Sequence, residues 1–137
     1  TDNEAVSVQN ALDHLSYNVS ITRQTHWEIK THGDRKTILQ KIDESGELYN
    51  TNKEFISKST AKENTTSFLV CQKEDMIGRS KLETLTNRFE IDGITNLNRG
   101  VIWNVTVNGG NLNGVLNGVL NTHLFFNPLS HDCYRIN

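Results

Sequence analysis

The chain carries a single proline, Pro128, only two cysteines, Cys71 and Cys133, and a net charge of only -2. Each scarcity excludes something. Binding to a phosphate backbone calls for a basic face, whereas the nearest basic cluster here is the pair Arg35-Lys36, read as a solvated hairpin end. No run of about 18 apolar residues occurs, so no segment reads as a membrane span. No signal peptide is recognisable. The chain starts at Thr1 without a methionine and is expected to be a mature form or an excised domain. The cysteines stand far apart in no Cys-x-x-Cys spacing, which argues against a zinc site or a thioredoxin-type motif. One disulfide, two buried thiols or a reactive thiol remain as readings. The disulfide Cys71–Cys133 is the expectation, because it would tie a polar C-terminal tail to an apolar strand. Closing so long a loop stabilises by about 4 kcal/mol in the chain-entropy model and implies a periplasmic or extracellular home.

Catalytic signatures are equally scarce. Five histidines are present, and none forms His-Glu-x-x-His or another ligand-spaced pair. There is no Gly-x-Ser-x-Gly and no P-loop. A small nuclease would need an acid–base pair such as His26 with His123 plus a phosphate-binding cation, and nothing in the spacing favours that use. No metal or cofactor is expected, and the chain is expected to bind rather than catalyse.

What is present is a folding composition. Its 137 residues, 35% hydrophobic and 22% charged, suit one domain over 1–137 with one core. Thr1-Asp2-Asn3-Glu4 reads as a capping box. Ala5, Val8, Leu12 and Leu15 then recur at helical spacing, which predicts an amphipathic helix over 2–16. From Tyr17 the period becomes two. Tyr17, Val19, Ile21, Thr25, Trp27 and Ile29 share one face, with Ser20, Thr22, Gln24, His26 and Glu28 on the other. Thr31-His32-Gly33-Asp34 reads as a turn leading to a returning strand, Thr37–Ile42. Short strands are expected at Glu47–Tyr49 and Glu54–Lys58, and a buried strand at Thr65–Lys73. Leu82, Leu85 and Phe89 predict a second helix, Arg79–Phe89. Gly100–Val107 alternates as a strand, and Asn108-Gly109-Gly110 is a hairpin signal. Leu112–Leu120 repeats Asn-Gly-Val-Leu, and its glycines suggest an irregular or edge strand. Thr122–Phe126 is the last expected strand, stopped by Pro128. The expected fold is mainly β (α+β): an N-terminal helix, seven or eight antiparallel strands in a curled sheet or small lipocalin-like barrel, and one further helix.

The aromatic residues of this fold fall on one sheet face. They are either an ordinary packed core or the lining of a partly hollow barrel able to hold one small ligand. The candidate ligand residues are Tyr17, Trp27, Phe68, Arg88, Trp103, Val105, Leu124 and Phe126.

The order of several segments resembles a known family. These are Ile42-Asp43-Glu44-Ser45-Gly46-Glu47-Leu48, then Glu54-Phe55-Ile56, then Leu82, Leu85 and Phe89 running into Ile91-Asp92, and last Val101 to Val107 with a return to Leu124-Phe125-Phe126. Over about two thirds of the chain this resembles the periplasmic domains of the ToxS/VtrC type, small partners of membrane-anchored transcription regulators. The resemblance implies an N-terminal inner-membrane anchor on the full protein and a periplasmic location. It also implies a heterodimer with the regulator's periplasmic domain and an apolar chamber for a bile salt that activates virulence genes. It implies no nucleic-acid contact. A stand-alone lipocalin-like carrier and a pilin- or adhesin-like subunit are the alternatives.

Overall fold

The computed structural model describes residues 2–48 and 63–136. In chain order these form α1 (Asn3–His14), β1 (Val19–Thr31), α2 (Arg35–Ser45), β2 (Thr65–Gln72), α3 (Met76–Glu83), β3 (Ile94–Val107), α4 (Leu112–Asn121) and β4 (His131–Arg135). The four strands make one antiparallel sheet in the order β1-β3-β2-β4, with β1 and β4 at its edges. The α+β class and the antiparallel sheet agree with the sequence reading. The seven or eight strands and the closed barrel do not: among the described residues the sheet is open and has four strands.

The largest discrepancies lie in two segments. The expected returning strand Thr37–Ile42 is helix α2. Asp34 caps it by accepting from the Thr37 N–H, and Gly46 ends it at φ +70°, a left-handed position that suits glycine. Ile38 and Ile42, one helical turn apart, are its buried residues. The expected edge strand Leu112–Leu120 is helix α4. Asn111 caps it by accepting from the Gly114 N–H. Leu112, Val115, Leu116, Val119 and Leu120 form its apolar stripe, and the burial of Leu116 and Val119 outweighs the low helix propensity of two glycines. Asn108-Gly109-Gly110 therefore leads into a helix, and 122–126 carries no strand. The short β4 in the C-terminal tail was not expected. The strand Glu54–Lys58 and Tyr49 of the strand Glu47–Tyr49 lie outside the described residues; Glu47 and Leu48 are not in a strand. Thr1 also lies outside them, and Asp2 is the cap of α1, accepting from the Ala5 N–H at 3.1 Å.

The register fixes two faces. Val19, Ile21, Trp27 and Ile29 of β1 lie opposite Val107, Val105, Arg99 and Leu97 of β3. Phe68 and Val70 of β2 continue that face beside Trp103 and Val101. All four helices contribute to the cores on it. Val8 and Leu12 of α1, with Leu116 and Val119 of α4, close one apolar cluster around Trp103, Val105, Phe68 and Phe125. Ile38 and Ile42 of α2, with Leu85, close a second around Trp27 and Leu97. The other face carries a ladder of short polar side chains. Ser67 donates to Asn104 at 2.5 Å and Asn104 donates to Thr22 at 3.2 Å, crossing three strands. Thr65 and Thr106 share a hydrogen bond at 2.8 Å. Among the described residues no helix is long and apolar enough to cross a membrane.

Candidate functional site

Among the described residues, two cavities lie on the helix-bearing face. The smaller, of about 200 Å³, sits at a seam where α1 and α3 meet the sheet and is lined by Glu4, Arg23, Asp75, Ile77, Arg99, Trp103 and His131, among others. Its charges largely serve the fold. Arg23 donates to Asp2 at 2.6 Å, pairs with Glu4 at 2.8 Å and lies 5.6 Å over the Trp103 ring. That guanidinium holds the Asp2 carboxyl below its ordinary range. Asp75 spends both oxygens on backbone, accepting from the Gly78 and Arg99 N–H groups. Ligand sites for drug-sized molecules run to about 300–1,000 Å³, so this seam is too small for one.

The larger cavity is a groove of about 570 Å³ between α4, β4 and the loop that joins them. Its floor is apolar: Phe68 of β2, Leu116 and Leu120 of α4, Phe126, Pro128 and the Cys133 side chain. Its rim is polar. Asn113 and Asn117 stand one turn apart on α4, Lys73, His131 and Arg135 supply basic groups, and Asp132 supplies a carboxylate. The groove follows from the pattern. On β4 the alternation sends His131, Cys133 and Arg135 to the helix side, opposite Gln72, Val70 and Phe68. Lys73 meets Asp132 only at 3.7 Å, with both side chains about half exposed, so its charge stays available at the rim. The His131 Nδ1 accepts from the Asn127 N–H at 2.9 Å. The arrangement offers an apolar bed with Arg135 toward one end and the Lys73–Asp132 pair toward the other, which suits an elongated amphipathic ligand.

No family model, no curated protein and no solved structure matches this chain.

The sequence-derived ligand residues are distributed unevenly. Phe68 and Phe126 line the groove. Trp103 and Val105 are packed into the first cluster, with 1% and 0% exposure, and Phe125 stacks on Trp103 at 5.2 Å between centroids. Phe125 thus fills the space where a hollow barrel would hold its ligand. Tyr17 packs against the same cluster, its hydroxyl against Gly118. Trp27 belongs to the second cluster. Leu124 is exposed, and Arg88, on the wide π-type turn that extends α3, lies over Phe89. The groove's Leu116, Leu120, Asn113 and Asn117 were missed because their segment was read as a strand. The helical spacing of the leucines and valines was the signal for them. His26 and His123 are not brought together as an acid–base pair: His26 points to the polar face, and His123 stands edge-on to Phe126. Burial lowers the His26 pKa, opposed by the Glu28 charge. Among the described residues no cluster of His, Cys, Asp and Glu is placed to hold a metal ion.

The expected disulfide is not formed. Both cysteines are free, for a reason the register supplies: Cys133 lies opposite Val70, and Cys71 opposite Asp132. The two side chains leave neighbouring strands on opposite faces, and a disulfide needs Cβ atoms about 3.8 Å apart and directed toward each other.

Proposed function

We propose that this domain is a non-enzymatic sensor subunit that takes an amphipathic anion of the bile-salt class in the groove between α4 and β4. The observation that carries the reading is the pairing of an apolar floor with a basic rim in a cavity of ligand size. The rings of such a ligand lie on Phe68, Leu116, Leu120 and Phe126, and its acid group meets Arg135 at one end of the groove. Keeping the acid at the rim avoids burying an unpaired charge.

The partner in this reading is the periplasmic domain of a membrane-anchored transcription regulator, as the ToxS/VtrC resemblance suggests, with the full protein held at the inner membrane. The open edge of β4 supports it. The Lys73 N–H donates to Ser130 and the Ile136 N–H to Ser67, so the even positions of β4 face β2. Alternation then turns the Cys133 backbone outward, beside the groove. A regulator strand added there roofs the groove by β-augmentation, and ligand bound under it favours the assembled pair.

Titration calorimetry with a bile salt, on the domain alone and with the regulator's domain, tests the reading. Micromolar binding is expected after association entropy offsets much of the apolar gain. Phe126→Leu and Arg135→Gln should each weaken it about tenfold, or ~1.4 kcal/mol, with little change in thermal stability. Absence of heat and of thermal shift with both chains present would remove the ligand role. Binding by the domain alone, unaffected by the regulator, would make it a carrier instead.

A further inference from the structure

The opposite edge of the sheet, β1, is capped by side chains at both ends, and among the described residues the outward backbone groups between the caps are unpaired. At one end Gln9 of α1 reaches across it: its amide nitrogen donates to the Val19 carbonyl at 2.8 Å, and its oxygen accepts from the Ile21 N–H at 2.7 Å. At the other end Arg35 donates to the Ile29 carbonyl at 3.0 Å. These bonds identify the odd-numbered residues of β1 as those whose backbone groups point away from β3. The other side agrees, since the Asn108 N–H donates to Asn18, an even position. Between the caps, four N–H groups (of residues 23, 25, 27 and 29) and four carbonyls (of residues 21, 23, 25 and 27) point outward with no partner among the described residues. A row of unpaired backbone groups is a template for another strand.

This row is self-complementary about Thr25. Antiparallel pairing with a second β1 through a two-fold axis at Thr25 sets Thr25 opposite its copy, Arg23 opposite Trp27, and Ile21 opposite Ile29. The four donors of each copy then meet the four acceptors of the other in eight hydrogen bonds. In this register the Ile21 N–H of one copy faces the Ile29 carbonyl of the other, so the Gln9 and Arg35 side chains that cap these two groups turn aside as the strands pair. On the polar face Gln24 meets His26, Thr22 meets Glu28, and Ser20 meets Lys30, so no like charges are brought opposite each other. A closed two-fold contact of this kind is the commonest form of homo-oligomer.

We propose that this domain forms a homodimer through the Ile21–Ile29 edge, joining two four-stranded sheets into one. The contact is independent of the α4–β4 groove and of the β4 edge, so it stands or falls apart from the ligand and regulator readings. Sedimentation equilibrium over a dilution series tests it. The expected species is about twice the 15.5 kDa monomer, dissociating on dilution. Thr25→Pro removes an outward N–H while leaving the β1–β3 bonds in place, as proline on an edge strand does, and is expected to give a folded monomer. Thr25→Cys, in a chain carrying Cys71→Ser and Cys133→Ser, tests the register directly. Paired residues at the axis sit about 5.5 Å apart at Cα, within disulfide reach, so the variant is expected to cross-link on oxidation. Lys30→Cys, which lies opposite Ser20 of the second copy, is expected not to. A monomer throughout the dilution series would overturn the proposal. So would a dimer that fails to cross-link through Cys at 25, whatever the fate of the proline variant.

Discussion

Asp75 Oδ2 accepts the backbone N–H of Arg99 at 2.6 Å, while its Oδ1 caps α3 at the Gly78 N–H, 2.8 Å away. One carboxylate thus ties the start of a helix to the middle of β3. Gly78 makes the approach feasible, because a Cβ there would lie 2.5 Å from the Leu97 carbonyl oxygen. Asp75→Ala loses a helix cap, worth about 1 kcal/mol, and leaves the Arg99 N–H unpaired, a further ~1–2 kcal/mol. Urea denaturation is expected to show a total of about 2–3 kcal/mol, with Asp75→Asn intermediate. A change within a few tenths of a kcal/mol would refute the tie.

The two glycines of α4 should separate. An added Cβ at Gly114 meets only its own cap, Asn111, at 3.5 Å. Gly114→Ala is therefore expected to stabilise by about 0.5–1 kcal/mol through helix propensity. At Gly118 the Cβ would fall 2.7 Å from the Tyr17 hydroxyl and 2.8 Å from its ring. Gly118→Ala should gain nothing or lose stability, and the pair Gly118→Ala with Tyr17→Leu should recover it. Equal melting temperatures for the two single variants would contradict the packing of α4 on Tyr17.

The cysteines give a third prediction. Burial raises the pKa of both thiols. The charges of Glu28, Asp75 and Asp132 add to the rise at Cys71, and Cys71 adds to that at Cys133. A raised pKa means less thiolate at neutral pH, and the thiolate is the reactive form. Mass spectrometry after alkylation of denatured, unreduced protein should show two modified cysteines. In the native protein, alkylation should be slow at pH 7 and accelerate only at alkaline pH, above the range of a free thiol. A single species lacking free thiols would restore the disulfide and require β4 to shift register against β2.

Ser67 and Phe68 illustrate why some of the fold was legible in the sequence. Both positions belong to Thr65–Gln72, where alternation and apolar content specify a strand wherever it pairs. The same holds for Val19–Thr31 and for most of Ile94–Val107, whose two faces were read correctly from period two. Helix α1 was legible because its stripe and its N-terminal cap are local signals. Helices α2 and α4 carried equally local signals, caps at Asp34 and Asn111 and leucine, isoleucine or valine one turn apart. They were outweighed by the β-branched residues in α2 and the glycines in α4, whose intrinsic preferences are worth under about 1 kcal/mol each. Burial of Ile38, Ile42, Leu116 and Val119 is worth more.

By itself, then, the sequence determined the class of its elements where burial and propensity agree, and the polar and apolar faces of its three long strands. Tertiary structure decided the rest. The order β1-β3-β2-β4 places β3 between strands that precede it, so no hairpin reading reaches it. The side on which each cysteine points depends on the register of β4 against β2. The groove exists because α4 and a five-residue strand far from β2 in sequence are both laid over Phe68. Those arrangements depend on contacts between residues distant along the chain, and such contacts become favourable only once packed neighbours offset the entropy of bringing them together.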